Sequence, residues 1–179
     1  IKLLSVLFAL SFGQTAWANC TVNSVNYKTI GGSGTAITTA IIKNRASSWN
    51  NATDLITTCD VSSITDMTDM FKNNLTFNQD LSAWDTSSVT NMYGMFSGAT
   101  SLTSISLPDT SSVTSLYAVF KDCTSFNQNI RSWNVDSVTD GFFTTAFQEM
   151  FDGATSMLNT YGGQTGFGAT PTAAWFTGD

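Results

Sequence analysis

The sequence predicts an α/β repeat solenoid, a stack of short strands and helical turns with a cap at each end. Three observations predict it. One phrase recurs four times, as Asp60-Val-Ser-Ser-Ile-Thr, Asp85-Thr-Ser-Ser-Val-Thr, Asp109-Thr-Ser-Ser-Val-Thr and Asn134-Val-Asp-Ser-Val-Thr, with starts 25, 24 and 25 residues apart. A phenylalanine column, Phe71, Phe96, Phe120 and Phe151, runs through the repeats, and Phe77, Leu102, Phe126 and Met157 follow it at a constant offset of six. Units that recur at such a period bury their apolar faces only by stacking on their neighbours.

Taken from the N-terminus, Lys2 and the apolar run Leu3 to Leu10 read as the charged and apolar regions of a secretory signal, with Ala16-Trp17-Ala18 as the cleavage pattern. Residues 1–18 are assigned to it, and the absence of an initial Met fits a chain that is slightly trimmed or comes from a fragmentary record. Residues 19–59 form an N-terminal cap. Within it Ile37, Ala40 and Ile41, then Ile42, Ala46 and Trp49, fall at helical spacing and predict a cap helix near 36–49.

Residues 60–157 hold the four units. Asp and Asn at each start bond to backbone two residues on and suit a corner. Ile64, Val89, Val113 and Val138 are β-branched among Ser and Thr and favour a short strand. Met67, Met70 and Phe71, repeated as Met92, Met95 and Phe96, stand at i, i+3, i+4 and predict a helical turn. Residues 158–179 form the C-terminal cap, with Trp175 and Phe176 as an apolar plug. In the fourth unit Thr139 lies 12 residues before Phe151, against 6 in the other units. The six inserted residues bring Phe142, Phe143 and Phe147. These aromatics either fold back on the core or protrude as a contact loop, the place where solenoid insertions often serve binding.

Cys20 and Cys59 flank the repeats on their N-terminal side and are expected to pair in an oxidising compartment. Cys20 follows Asn19, which does not suit lipoprotein processing. Cys123 shares a column with Asn74, Ala99 and Ala154 and is expected to fill buried space.

Composition narrows the function. The net charge is −6 and the seven Lys and Arg residues form no cluster, so a nucleic-acid backbone is not an expected partner. No segment after residue 18 has the apolar length needed to span a bilayer. The chain has no His, which removes Ser-His-Asp and Cys-His nucleophile systems and most zinc sites. Paired carboxylates remain, as Asp66 with Asp69 or the corner acids, but residues that recur at one repeat position are better read as turn caps. No catalytic residue, metal or cofactor is expected.

The segment Leu102-Thr-Ser-Ile-Ser-Leu-Pro108-Asp-Thr-Ser-Ser-Val-Thr, then Ala118-Val-Phe120-Lys-Asp-Cys123-Thr-Ser-Phe126, resembles the repeat of BspA-like leucine-rich-repeat surface proteins. The stretch Phe77-Asn78-Gln79-Asp80-Leu81-Ser82-Ala83-Trp84-Asp85 and its echo from Phe126 to Asn134 resemble a variant of secreted bacterial proteins. The resemblance covers roughly residues 55 to 158. It implies a leucine-rich-repeat-like, right-handed stack with parallel strands, and a secreted or bacterial cell-surface role in adhesion.

Expected partners are therefore an extracellular protein or glycan, bound through a face of the stack, with end-to-end self-association as a further option. Candidate binding residues are Phe142, Phe143 and Phe147 in the insertion and the file Thr65, Thr90, Thr114 and Thr139. A parallel file, Ser63, Ser88, Ser112 and Ser137, is expected beside it. A flat ladder of hydroxyls and methyls at strand spacing is similar to ice-binding surfaces, so ice or crystal-surface binding is the alternative function.

Overall fold

The computed structural model describes residues 20–22, 25–27, 35–43, 56–139 and 145–177. Five short elements are present among them: β1 (Cys20–Val22), β2 (Val25–Tyr27), α1 (Thr39–Lys43), α2 (Thr155–Tyr161) and α3 (Ala173–Thr177). β1 and β2 form an antiparallel ribbon with Cys20 opposite Tyr27. Residues 1–18, expected to be a secretory signal, lie outside the described residues.

The repeats correct the expected fold class. No strand and no α-helix occurs among the described residues of the four units before Thr155; the units are coils of consecutive tight turns. The expected strands fail for a local reason. Asp60 Oδ1 accepts the Ser62 N–H at 3.1 Å and its hydroxyl at 2.7 Å, and Asp85 does the same with Ser87. A tight turn follows at once: the Ile64, Val89, Val113 and Val138 N–H groups donate three residues back, to Val61, Thr86, Thr110 and Val135. An N–H spent within its own turn is lost to a ladder, and short polar side chains near it stabilise this alternative to a strand. What remains of parallel pairing is a single bridge per coil, Asp66 to Asn91 and Asn91 to Ser115.

The expected helical turn is also replaced. Two residues before each ladder phenylalanine the backbone is left-handed, at Asp69, Gly94, Ala118 and Glu149, with φ from 50° to 57°. Two residues after it Asn73, Gly98, Asp122 and Gly153 are left-handed as well, with φ from 57° to 75°. A right-handed helix does not pass through such residues. Instead the N–H groups alternate. Met70 donates to Met67 O within its coil, while Met67, Asp69, Phe71 and Asn73 donate to Asn91, Tyr93, Met95 and Ser97 of the next coil at 2.7–2.8 Å. Met92, Gly94, Phe96 and Gly98 repeat this onto the third coil, and Leu116, Ala118, Phe120 and Asp122 onto the fourth. Every one of these bonds runs in the same direction along the stack.

The interior is built of files. Phe71 and Phe96 lie 5.5 Å apart at 9°, Phe96 and Phe120 5.7 Å apart at 4°, and Phe120 and Phe151 5.9 Å apart at 4°. Within coils, Phe71 stacks on Phe77 and Phe120 on Phe126, each at 4.1 Å. Met67, Met70, Met92, Met95, Leu116, Val119 and Met150 are fully buried beside them. Their helix-like spacing therefore marks burial on one side of an arc that is not a helix.

Both ends are covered by the chain itself. α1 occupies five residues of the stretch expected to be helical, and 44–49 lie outside the described residues. Ile37 is buried, and the Thr39 hydroxyl donates to the Asp66 carbonyl of the first coil. At the other end Trp175 meets Phe151 edge-on at 5.7 Å, and Phe167 lies 5.4 Å from the same ring. There the Phe151 N–H donates to Ala169 O at 2.9 Å and the Glu149 N–H to Thr170 Oγ1 at 3.0 Å. The outward donors at these two positions are taken up internally.

Candidate functional site

The Asp66–Asn91–Ser115 bridges hold the threonine file straight over three coils. Thr65, Thr90 and Thr114 are exposed. Thr90 donates its N–H (2.8 Å) and its hydroxyl (3.2 Å) to Thr65 O, and Thr114 does the same to Thr90 O, at 2.8 and 2.9 Å. Thr139 is exposed but departs from the file, since its N–H turns back to Ser137 O. In the serine file Ser63 and Ser88 are exposed, whereas the Ser137 hydroxyl donates to Ser111 O.

Beside the threonines stands a pair that the sequence reading passed over. Tyr93 and Tyr117 stack at 4.6 Å and 3°, and Tyr93 is 39% exposed. Both stand three residues before a ladder phenylalanine, so their shared column was a readable signal. Asn91 Oδ1 accepts the Tyr93 N–H at 3.0 Å and fixes its direction. Lys121 braces the neighbouring position through Glu149 Oε2 at 2.6 Å and Asp152 Oδ2 at 3.2 Å. Partial burial, and then the Glu149 carboxylate, raise the Tyr117 phenol above its ordinary value, so it stays a neutral donor at physiological pH. The arrangement offers two parallel rings beside hydroxyls and methyls, a surface suited to binding.

The insertion aromatics divide. Phe142 and Phe143 lie outside the described residues. Phe147 is only 4% exposed and stacks on Phe176 at 5.5 Å, which corrects its assignment as a contact residue. The C-terminal plug needs an apolar partner, and Phe147 supplies it.

A disulfide joins Cys20 to Cys59 with Cα atoms 4.7 Å apart, tying the β1–β2 ribbon to the first corner. Cys123 is buried, donates its thiol to Phe96 O at 2.9 Å, and is pushed by burial up to about 12. Such a thiol is no nucleophile. The carboxylates are engaged in turns: Asp66 Oδ1 accepts the Thr68 N–H at 2.8 Å, and Asp69 lies 3.4 Å from the Lys72 ammonium. Hydrogen bonds from the hydroxyl and N–H of Ser87 and of Ser111 hold Asp85 and Asp109 below the usual carboxylate range. Among the described residues no group of three or more His, Cys, Asp or Glu side chains converges on a metal position. No helix among them is long and apolar enough to cross a membrane.

No curated protein and no solved structure matches the chain. A family match covers residues 39–164, the whole stack together with α1 and α2. The chain belongs to the family described as Mycoplasma protein of unknown function, DUF285.

Proposed function

We propose that the protein is a secreted or cell-surface recognition module, non-catalytic, that binds an extracellular protein or glycan through the face carrying Thr65, Thr90, Thr114, Tyr93 and Tyr117. The observation that carries this reading is the Tyr93–Tyr117 stack, held rigid on an exposed face beside the threonine file. Rigid, amphipathic tyrosines lose little conformational entropy on binding and are favoured at recognition surfaces. The Cys20–Cys59 disulfide supports an oxidising compartment. The resemblance of the repeats to BspA-like surface proteins, and membership of the family, support a surface role.

The test is saturable binding of the labelled protein to cultured cells and to immobilised matrix proteins. Tyr93→Ser combined with Tyr117→Ser should abolish saturable binding while leaving the melting temperature within a few degrees. Undiminished binding by that variant would remove the tyrosine face from the reading. Thermal hysteresis lost on Thr90→Tyr would replace recognition by ice binding.

A further inference from the structure

The second coil is one residue shorter than its neighbours between its counterpart of Phe77 and its corner: Leu102 to Asp109 is 7 residues, where Phe77 to Asp85 and Phe126 to Asn134 are 8. It also has Leu107-Pro108 where the first and third coils place Trp84 and Trp133. In a stack held in register, a missing residue leaves a gap. A cavity of about 300 Å³ opens between the second and third coils, lined among others by Ser106, Asp109, Gln128, Ser132, Trp133 and Asn134. A second depression of about 250 Å³, reaching back to Asn78 and Asp80, shares Ile105 and Ser106 with it.

Trp133 marks the cavity as more than a packing fault. Its counterpart Trp84 donates its indole N–H to Ile56 O at 2.9 Å. The Trp133 indole, in a residue only 8% exposed, has no acceptor among the described residues. That N–H is not sealed in the core but keeps contact with solvent, and Trp133 lines the cavity, where the free donor is open to a ligand. Around it, Gln128 Oε1 is fixed by the Ile105 N–H at 2.6 Å and Asn134 Oδ1 by the Asp136 N–H at 2.9 Å. Those two bonds leave the amide NH₂ groups as donors. The Ser106 and Ser132 hydroxyls carry no hydrogen bond among the described residues.

We propose that this cavity is a binding subsite for a neutral sugar ring of a glycan, with the Trp133 indole N–H as its central donor. The inference rests on the recognition reading above and adds to it a ligand class and a second location. A mixed set of donors and acceptors matches hydroxyls, each of which both donates and accepts. The Asp109 carboxylate lines the cavity without a Lys or Arg beside it, which disfavours an anionic ligand. The volume lies at the small end of ligand sites and suits one ring. The adjoining depression extends the path for a linear oligosaccharide.

The experiment is titration calorimetry of the full chain with chitotetraose, mannotetraose and galactotetraose, and with a heparin tetrasaccharide as the anionic comparison. At least one neutral tetrasaccharide should bind. Trp133→Phe, which keeps the ring and removes the N–H, should weaken it at least fivefold. Ser106→Trp, an exposed change that fills the cavity, should abolish it, and Tyr93→Ser should leave it unchanged. Equal affinity in Trp133→Phe and Ser106→Trp, or binding of heparin alone, overturns the proposal. Absence of any sugar binding in a protein that still binds cells through Tyr93 overturns it and leaves the recognition reading standing. Absence of both overturns the two together.

Discussion

The Asn73 side chain occupies the space where a β-carbon on Gly98 would stand, its Oδ1 2.5 Å from that position. Asp69 lies over Gly94 and Asp122 over Gly153 in the same way. A polar side chain on one coil is thus seated over the glycine of the next, and the left-handed backbone at both members brings them together. These seats fix the register between coils in a region that has almost no strand pairing.

Gly98→Ala should therefore be strongly destabilising, although it adds a single methyl group at this buried position. The left-handed φ of 75° disfavours alanine, and the methyl group would overlap Asn73. A loss of about 1–3 kcal/mol is expected from the backbone alone. Denaturant unfolding of Gly98→Ala, Asn73→Ala and the double variant checks it. The double variant should be less destabilised than the sum of the single changes, because the overlap is gone while the backbone penalty stays.

Phe96 stands between Phe71 and Phe120 in the ring file. Phe96→Ala should cost about 3–5 kcal/mol through lost burial and a cavity. The consequence in a nearest-neighbour stack is loss of cooperativity between the two sides. A single sharp melt coincident with that of the parent would contradict the ring-file account.

Removing the Cys20–Cys59 bridge releases a link across a sequence separation of 39. Chain-entropy reasoning gives a loss of about 4 kcal/mol for Cys20→Ser combined with Cys59→Ser. The same shift should follow reduction of the parent, since Cys123 forms no bridge. Cys123 should resist iodoacetamide at pH 8 until the chain is unfolded, because burial holds the thiol up to about 12. Native-state alkylation at the rate of a free thiol would place that side chain outside the core.

The corner acids give a signed pH dependence. Asp85 and Asp109 have lowered folded values because Ser87 and Ser111 donate to the ionised carboxylate. Folding then favours the deprotonated form. The stabilisation is fully present above the ordinary aspartate value and is lost as pH falls through the lowered folded ones. Melting temperatures measured from pH 6 to pH 2 should fall less steeply for Asp85→Asn with Asp109→Asn. The amide keeps the turn without titrating, as Asn134 does with the Asp136 N–H at 2.9 Å. An unchanged slope would assign the acid sensitivity to other groups.

Much of the interior was legible because side-chain files follow directly from repeat columns: Phe71, Phe96, Phe120 and Phe151 share a column and stack. The backbone between them was not. The Met-x-x-Met-Phe spacing reports which side chains are buried, and an arc alternating right- and left-handed residues buries the same positions as a helix would. The left-handed signal was present in the column Asn73, Gly98, Asp122, Gly153, residue types that tolerate positive φ, but Ala118 and Glu149 hid it in the other column. β-branched Val89 and Val113 invited a strand, and the Asx corners ahead of them decided otherwise. At the candidate site, the threonine file was legible over three coils. The Tyr93–Tyr117 pair was missed because only two coils carry it. The Trp133 cavity depends on one absent residue, whose effect emerges only once the coils are superposed.

The shared direction of the arc amides along the stack has a consequence for how such a protein can change length. Along the arc around the ladder phenylalanines each coil offers carbonyls on its upstream side and N–H groups on its downstream side. At the threonine file the Thr90 and Thr114 N–H groups donate the other way, so the first two junctions carry the same pattern of donors and acceptors. A tandem duplication of 24 or 25 residues slots between two existing coils and finds both junctions ready, with no orphaned amide left behind. A reversed or half-sized insert would meet donor with donor. Growth and shrinkage by whole units is therefore the cheap evolutionary move for this architecture, and each such step carries its local irregularities, the shortened second coil included, to a new height along the array.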